Sequence, residues 1–342
     1  MKRDGIDELD RAVIHALQID GRAPFRRIGE VLGVSDQTVA RRFGRLSGAL
    51  GLRVLALTDL VVLHERQWVL RVRAAPQAAA EIADALGRRS DPSWISLCSG
   101  GTEIVASASG DSVESLLFEG VPRTRHILDV GAHEVLHVFY GGAGQPFTKR
   151  GPLTESQTTQ LARHVPPALG PPPKMDETSG RMLEVLRADG RASVEELTAA
   201  TTASASTVHR RLHELRASGV LHFDVDIDLA AFDASVRTML WLTIEIDALL
   251  AAGAVLAASP EVAFAAGITG TSNLFASVAT RDTSALWRFL TSVVGRLPGL
   301  RDVETVTALR PVKGAVAFFS RPPEHAPRHA PLRAGSPRPD AR

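Results

Sequence analysis

The sequence predicts an α+β protein built twice over: a winged-type three-helix module followed by a βαββαβ unit, then the same pair again. Three observations predict it. Shifting the 342-residue chain by 169 positions (210 − 41) lays Asp20-Gly21-Arg22-Ala23 on Asp189-Gly190-Arg191-Ala192 and Arg41-Arg42 on Arg210-Arg211 without a gap. Apolar residues recur at helical spacing in three short segments at the head of each half. Alternating strand-like runs then follow in the same order in both halves.

The elements read in order as follows. In the first half, Leu9, Val13, Ile14 and Leu17 mark an amphipathic helix that stops at Asp20-Gly21-Arg22. Ile28, Val31 and Leu32 mark a second, and Gly33 supplies a tight turn before a third, VSDQTVARRFGRL. Three helices with a tight turn before the last are the helix-turn-helix plan. Next come QWVLRVRA (67–74) as a strand, 76–89 as a helix, WISLCSG and TEIVASAS as strands joined at Gly100-Gly101, 112–121 as a helix and HEVLHVFY (133–140) as a last strand. The second half repeats this, with Thr202 in place of Gly33 and a turn there expected to be less tight. The order βαββαβ is that of a ferredoxin-like unit, an antiparallel sheet with helices on one face and the other face free to meet a second sheet. The expected domains are helix-turn-helix 4–60, ferredoxin-like 61–140, a Pro/Gly-rich linker 141–174 with a short helix near 153–165, helix-turn-helix 175–228, ferredoxin-like 229–320, and a disordered tail 321–342.

The bulk numbers limit function. The net charge of +1 is too small for a general polycation, so a nucleic-acid site must be a local patch. A single cysteine, Cys98, excludes an internal disulfide, fits a reducing cytoplasm and reads as a small buried residue. No signal-peptide-like core and no apolar run of membrane-spanning length stands out, so a cytoplasmic protein is expected.

The third helix carries the chemistry. At about 100° per residue, Gln37, Arg41, Arg45, Thr38 and Arg42 fall within about 140° of one another, while Val39, Phe43 and Leu46 fall together on the far side. Ser35 is placed to cap the helix, whose N-terminus then favours a phosphate. Arg can grip guanine, Gln adenine, and Thr a thymine methyl or a phosphate. Ser35, Gln37, Thr38, Arg41, Arg42 and Arg45 are therefore the DNA-contact candidates. The second copy keeps Thr207, Arg210 and Arg211, but Ser206 replaces Gln37 and Glu214 replaces Arg45 in an acidic module. Weaker DNA contact, or a packing role, is expected there. His209 and His213 have a metal-compatible spacing but no further ligands on their module, and His133 and His137 read as exposed or interface residues, so neither a metal nor a cofactor is expected.

With a helix-turn-helix ahead of βαββαβ, the chain resembles the Lrp/AsnC feast/famine transcriptional regulators in tandem-duplicated form. LDRAVIHALQIDGRAPFRRIGEVLGVSDQTVARRFGRL and ASASTVHRRLHELRASGVLHFDVDIDLAAF carry the resemblance, which spans residues 4–320. It implies binding of double-stranded DNA by dimers or larger assemblies. It also implies a small effector, often an amino acid, near the loop between the second and third strands. By position that loop is Gly100, Gly101, Thr102, Glu103 and Gly270, Thr271, Ser272, Asn273, which can equally be plain turn residues. The acidic residue usual at the loop's end is kept by Glu103 and lost at Asn273. The duplication implies either a homo-oligomer with four helix-turn-helix units or an intramolecular pseudo-dimer, with no membrane partner. The alternative is an enzyme: siroheme decarboxylases share the two-part fold, and Arg125, His126 and His133 are the residues that could line a tetrapyrrole pocket.

Overall fold

The structure is a computed structural model and describes residues 6–58, 63, 66–88, 94–109, 126–141, 151–162, 173, 175–226 and 235–313. The helix expected at 112–121, Arg125 and the tail from 321 lie outside the described residues.

The first module consists of α1 (Glu8–Ile19), α2 (Phe25–Leu32), α3 (Asp36–Leu50) and a wing strand β1 (Arg53–Thr58). Asp7 caps α1, accepting from the Asp10 amide at 2.8 Å while the Asp10 carboxylate accepts from the Asp7 amide at 3.0 Å. Val13, Ile14 and Leu17 are fully buried, and Gly33 turns the chain between α2 and α3 with φ of 69°. The first sheet unit follows as β2 (Gln67–Ala74), α4 (Pro76–Gly87), β3 (Ile95–Cys98), β4 (Glu103–Ser109) and β5 (Ile127–Tyr140). A short helix α5 (Glu155–Leu161) precedes the second module, α6 (Glu177–Ala188), α7 (Val194–Thr201), α8 (Ala205–Ala217) and wing β6 (Leu221–Asp226). The second sheet unit is β7 (Val236–Ile244), α9 (Leu249–Ala258), β8 (Val262–Ile268), β9 (Leu274–Thr280), α10 (Thr283–Ser292) and β10 (Leu300–Lys313).

Replacing Gly33 by Thr202 does not loosen the second turn. Thr202 adopts φ of 57°, the same left-handed conformation, which a β-branched residue occupies at a cost. Its backbone N–H closes onto the Thr198 carbonyl at 2.9 Å, so the closed helix end fixes the conformation against the side chain's preference.

The two sheets do more than meet face to face. Their orders are β3-β4-β2-β5 and β8-β9-β7-β10, and β5 and β10, each 14 residues, run on past their own sheets to pair with β8 and β3. The result is one closed eight-stranded barrel, β10-β3-β4-β2-β5-β8-β9-β7. Register shifts at Val135/His137 and Ala308/Arg310 mark the crossings; they correspond under a shift of 173 (300 − 127), so the halves are joined by one device used twice. Inside, Val69, Val105, Met239, Trp241, Phe264 and Phe275 form one core, with Trp94 of one half stacked on Phe275 of the other at 6.4 Å. Outside, α4 covers Leu70, Val72 and Ile104, and α9 and α10 cover Leu240, Leu242 and Val278. Closure leaves the barrel with no free strand edge. The pairing that the duplication left open is made within one chain.

The helix-turn-helix modules are joined in the same way. β1 and β6 pair antiparallel with Leu55 directly opposite Asp224, and Leu55 is also the counterpart of Asp224 in the repeat (224 − 169), so a local twofold axis passes between them. The repeated Asp-Gly-Arg-Ala stop forms the rest of the joint. Arg22 donates to the carbonyls of Gly190 (2.6 Å) and Ala192 (2.9 Å), and Arg191 donates to those of Gly21 (2.7 Å) and Ala23 (3.2 Å). Glycine is required: a Cβ on Gly21 would lie 2.7 Å from Val54 Cγ1, and one on Gly190 2.8 Å from the Val54 carbonyl. One apolar core runs through both modules.

Part of the segment read as a linker is folded. Leu161 of α5 is fully buried in the shared core, Gln157 donates to the Val31 carbonyl at 3.1 Å, and Arg27 donates to the Gln160 carbonyl at 2.6 Å. Residues 151–162 strap α1 and α2 of the first module.

Candidate nucleic-acid interface and effector loops

The N-terminal end of α3 forms as its sequence dictates. Ser35 Oγ accepts from the Thr38 amide at 3.2 Å and lies 2.9 Å from Thr38 Oγ1. Val39 and Leu46 are fully buried, and Phe43 packs on Phe25 with ring centroids 5.3 Å apart. Gln37 and Arg41 are exposed, and Arg41 forms no ion pair with any described residue.

The arginine face is narrower than the helical wheel implies. Arg42 bridges Asp7 and also reaches Asp10 at 3.2 Å, and Arg45 pairs with Asp10, whose side chain is fully buried. These two guanidiniums pin α3 to the capped start of α1, so they are not the unpaired cations that the helical wheel alone implies. The physical reason is the α1 cap: the Asp7–Asp10 box that satisfies backbone amides also sets two carboxylates beside α3. Arg42 keeps a quarter of its side chain exposed and Arg45 two fifths, so both lie at the edge of the face.

In the second module the clamp recurs and the edge is rewritten. Arg211 pairs with Asp176 as Arg42 does with Asp7. Ser179 stands where the first copy has Asp10, fully buried, its hydroxyl donating to Asp176 at 2.7 Å. Glu214 stands where Arg45 does and takes Arg210 at 2.6 Å and Arg211 at 3.3 Å. Thr207 repeats the cap contact, 2.9 Å from Ser204 Oγ, but Ser206, in the place of Gln37, is also held by that oxygen at 2.9 Å. Of the predicted contacts, then, the Gln37 and Arg41 side chains are exposed and have no partner among the described residues, whereas Arg42, Arg45, Arg210 and Arg211 are held by carboxylates. The paired exchange of Asp10 with Arg45 for Ser179 with Glu214 is readable by aligning the two copies, and it was the signal the wheel lacked. His209 and His213 are exposed, and the described residues hold no group of three potential metal ligands.

The loops picked out for an effector are largely self-satisfied. Gly100 and Gly101 have φ of 66° and 93°, and Thr102 donates to the Ser99 carbonyl at 2.9 Å. Glu103, expected to face a ligand, is buried in the barrel wall and accepts from Arg71 at 2.8 and 3.1 Å. Arg71 also bonds Glu304 from the other half at 2.7 Å and lies 5.2 Å from the Trp241 ring centroid. These bonds raise the Arg71 pKa against the effect of burial and lower that of Glu304, so both stay charged. In the second loop Asn273 is committed to β7, accepting from the Ile244 amide at 2.9 Å and donating to its carbonyl at 2.8 Å. Thr271 accepts through its carbonyl from Thr243 at 3.2 Å, while Gly270, with φ of 116°, packs on the His133 ring. Ser272 is half-buried, and no described contact commits its side chain. His133 donates from Nδ1 to the Thr269 carbonyl at 2.8 Å and sits 5.0 Å from Trp241. His126 has φ of 77° at the start of β5. Cys98 is fully buried, which pushes its thiol up to about 12. The Arg71–Glu103–Glu304 network was missed at the sequence level; its signal was the alternation of QWVLRVRA, which sets Arg71 on the same face as Val69, inside the barrel.

Two helix-turn-helix modules joined through β1 and β6, and a closed barrel of ferredoxin-like halves, define the class: a two-part transcription regulator with both of its pairs built from one chain. The AsnC-type helix-turn-helix domain matches residues 6–47 and 175–216, and the Lrp/AsnC ligand-binding domain matches 238–317. The chain belongs to the Lrp/AsnC family of transcription regulators, in tandem-duplicated form. It is similar to the HTH-type transcriptional regulator FL11 of Pyrococcus horikoshii, 27% identical over 137 residues, 40% of this chain and 90% of that protein. It is also similar to an uncharacterized HTH-type transcriptional regulator of Pyrococcus abyssi, 28% identical over 134 residues, 39% of this chain and 84% of that one. Among solved structures, the siroheme decarboxylase NirDL shares the fold along 92% of this chain and 95% of its own, with a TM-score of 0.59 and 14% identity. No helix among the described residues is long and apolar enough to cross a membrane.

Proposed function

We propose that this regulator binds double-stranded DNA in a sequence-specific manner, mainly through its first helix-turn-helix, and that the barrel senses a small molecule of the amino-acid class. One observation carries the DNA reading: the capped end of α3 presents Gln37 and Arg41 to solvent, and no carboxylate among the described residues claims either. Ser35 and Thr38 position that end and offer hydroxyls to a phosphate. Arg42 and Arg45 add long-range positive charge at the edge, and Thr207, Arg210 and Arg211 make the weaker counterpart. The effector reading rests on the family's ligand-binding domain and on the backbone of Gly100, Gly101 and Gly270, with Thr102, Thr271 and Ser272 as hydroxyls. Glu103 and Asn273 act there by holding the barrel wall.

The test is the salt dependence of binding to mixed genomic duplex fragments. A regulator of this kind loses affinity steeply as salt rises, and Arg41→Ala weakens it at every concentration. Binding by wild type and Arg41→Ala that is equal and indifferent to salt overturns the proposal. The likeness to NirDL, along 92% of this chain and 95% of that one, supports a second reading as a siroheme-decarboxylase-like enzyme with His126 and His133 toward a tetrapyrrole. A visible-absorption titration with an iron porphyrin separates the two: a saturable band shift lost in His133→Ala favours the enzyme.

A further inference from the structure

We propose that the duplex recognised by this chain is not a palindrome: one half-site is read by α3, and the other is held by α8 with little base discrimination, because Glu214 neutralises the reading arginine. The inference rests on the DNA-binding reading above and concerns its target. In a regulator assembled from two identical chains, twofold symmetry makes the two recognition surfaces identical, and the operator mirrors that symmetry. Here the same twofold frame is built from one chain. It is set by the β1–β6 pairing about Leu55 and Asp224 and by the reciprocal Arg22 and Arg191 bonds. The frame is symmetric; the surfaces on it are not.

Three differences separate those surfaces. Arg41 has no ionic partner among the described residues, whereas its counterpart Arg210 is bonded to Glu214 at 2.6 Å. Gln37, able to pair two-pronged with adenine, is replaced by Ser206, a short hydroxyl already bonded to the cap. The edge of the face carries a guanidinium at Arg45 and a carboxylate at Glu214, which repels phosphate. The scaffold beneath these groups is unchanged: the Ser35–Thr38 and Ser204–Thr207 caps are alike, and Arg211–Asp176 repeats Arg42–Asp7. The second helix therefore retains the fold for docking and lacks the charge and the long amide for reading. Ser179 explains how the exchange is accommodated. With Glu214 in place of Arg45, a buried carboxylate at position 179 would have no guanidinium beside it except Arg211, and serine removes that cost.

The experiment uses the full chain and a pool of random-sequence 40-base-pair duplexes carried through rounds of selection. Wild type enriches a motif with one well-specified half and a second half that tolerates substitution. The double variant Ser179→Asp/Glu214→Arg rebuilds the first copy's pair in the second and releases Arg210. It enriches a motif with two specified halves and binds the wild-type motif's weak half roughly tenfold tighter when guanine is placed there. Glu214→Gln, which frees Arg210 without a new buried charge, moves in the same direction if the double variant fails to fold. A palindromic wild-type motif with equally specified halves overturns the proposal, as does a second half unchanged in both variants. Failure of wild type to enrich any sequence defeats the DNA-binding reading itself, and is distinguishable because no motif emerges.

Discussion

Asp224 is the carboxylate whose removal should most change the response of this fold to pH. It lies buried on β6 opposite Leu55, and its side chain takes the neighbouring Val225 amide at 2.7 Å. Burial pushes its pKa up to about 7, the Val225 bond works against that, and the charge of Asp226 two residues on adds to the rise. The group is thus more protonated folded than unfolded, where an aspartate titrates near 3.9. A folded pKa above the unfolded one gives stability that is complete below about pH 4 and is lost as the pH rises towards 7. Three units of separation correspond to a loss on the order of 4 kcal/mol, taken as an upper value because hydration of the ionised site would relieve part of it. Leucine is the natural replacement, since Leu55 fills the matching position across the local axis. Urea midpoints of wild type and Asp224→Leu at pH 5, 6, 7 and 8 measure the effect. The two should lie closest at pH 5, with the variant gaining steadily up to pH 7 and the difference flattening above it. A difference independent of pH, or one that grows in the wild type's favour, refutes the reasoning.

Other predictions follow from the same contacts. Arg45→Ala strips the buried Asp10 of one of its two guanidiniums and should cost about 3 kcal/mol by urea unfolding. Arg41→Ala should leave the unfolding midpoint unchanged. Arg22→Ala and Arg191→Ala each remove charge-assisted bonds across the module joint and should cost about 1.5–3 kcal/mol. Their double variant should cost less than the sum if the two bond sets act as one interface. Thr202→Gly should stabilise by about 1 kcal/mol, because glycine enters the left-handed turn without the penalty threonine bears; a loss of stability there would mean the Thr202 hydroxyl bond to the Thr201 carbonyl outweighs it.

Much of this architecture was legible in the order of residues because its causes are local. Helix caps, the turn at Gly33 and strand alternation each leave a signature within a few positions. What escaped the sequence has its partners on other elements, from some thirty to well over a hundred residues away. The Asp-Gly-Arg-Ala repeat reads as a helix stop in one dimension, and only in space does Arg22 reach Gly190. β5 and β10 read as ordinary last strands, while their length past the crossing bulges closes the barrel. At the site, the wheel sorted exposed from buried on α3 but carried no knowledge of α1, so it counted Arg42 and Arg45 as open when Asp7 and Asp10 hold them. The commitment of Glu103 escaped for the same reason. Glu103 looks available until Arg71 of another strand is placed beside it.

The central claim, that a duplex meets this protein at the Ser35–Arg41 end of α3, is tested most directly by amide hydrogen exchange of the full chain with and without a selected duplex. The account predicts strong slowing at 35–41, weaker slowing at 204–210, and little change along β7 and β9. Unchanged exchange at 35–41 alongside protection elsewhere would place the duplex on another surface and contradict it.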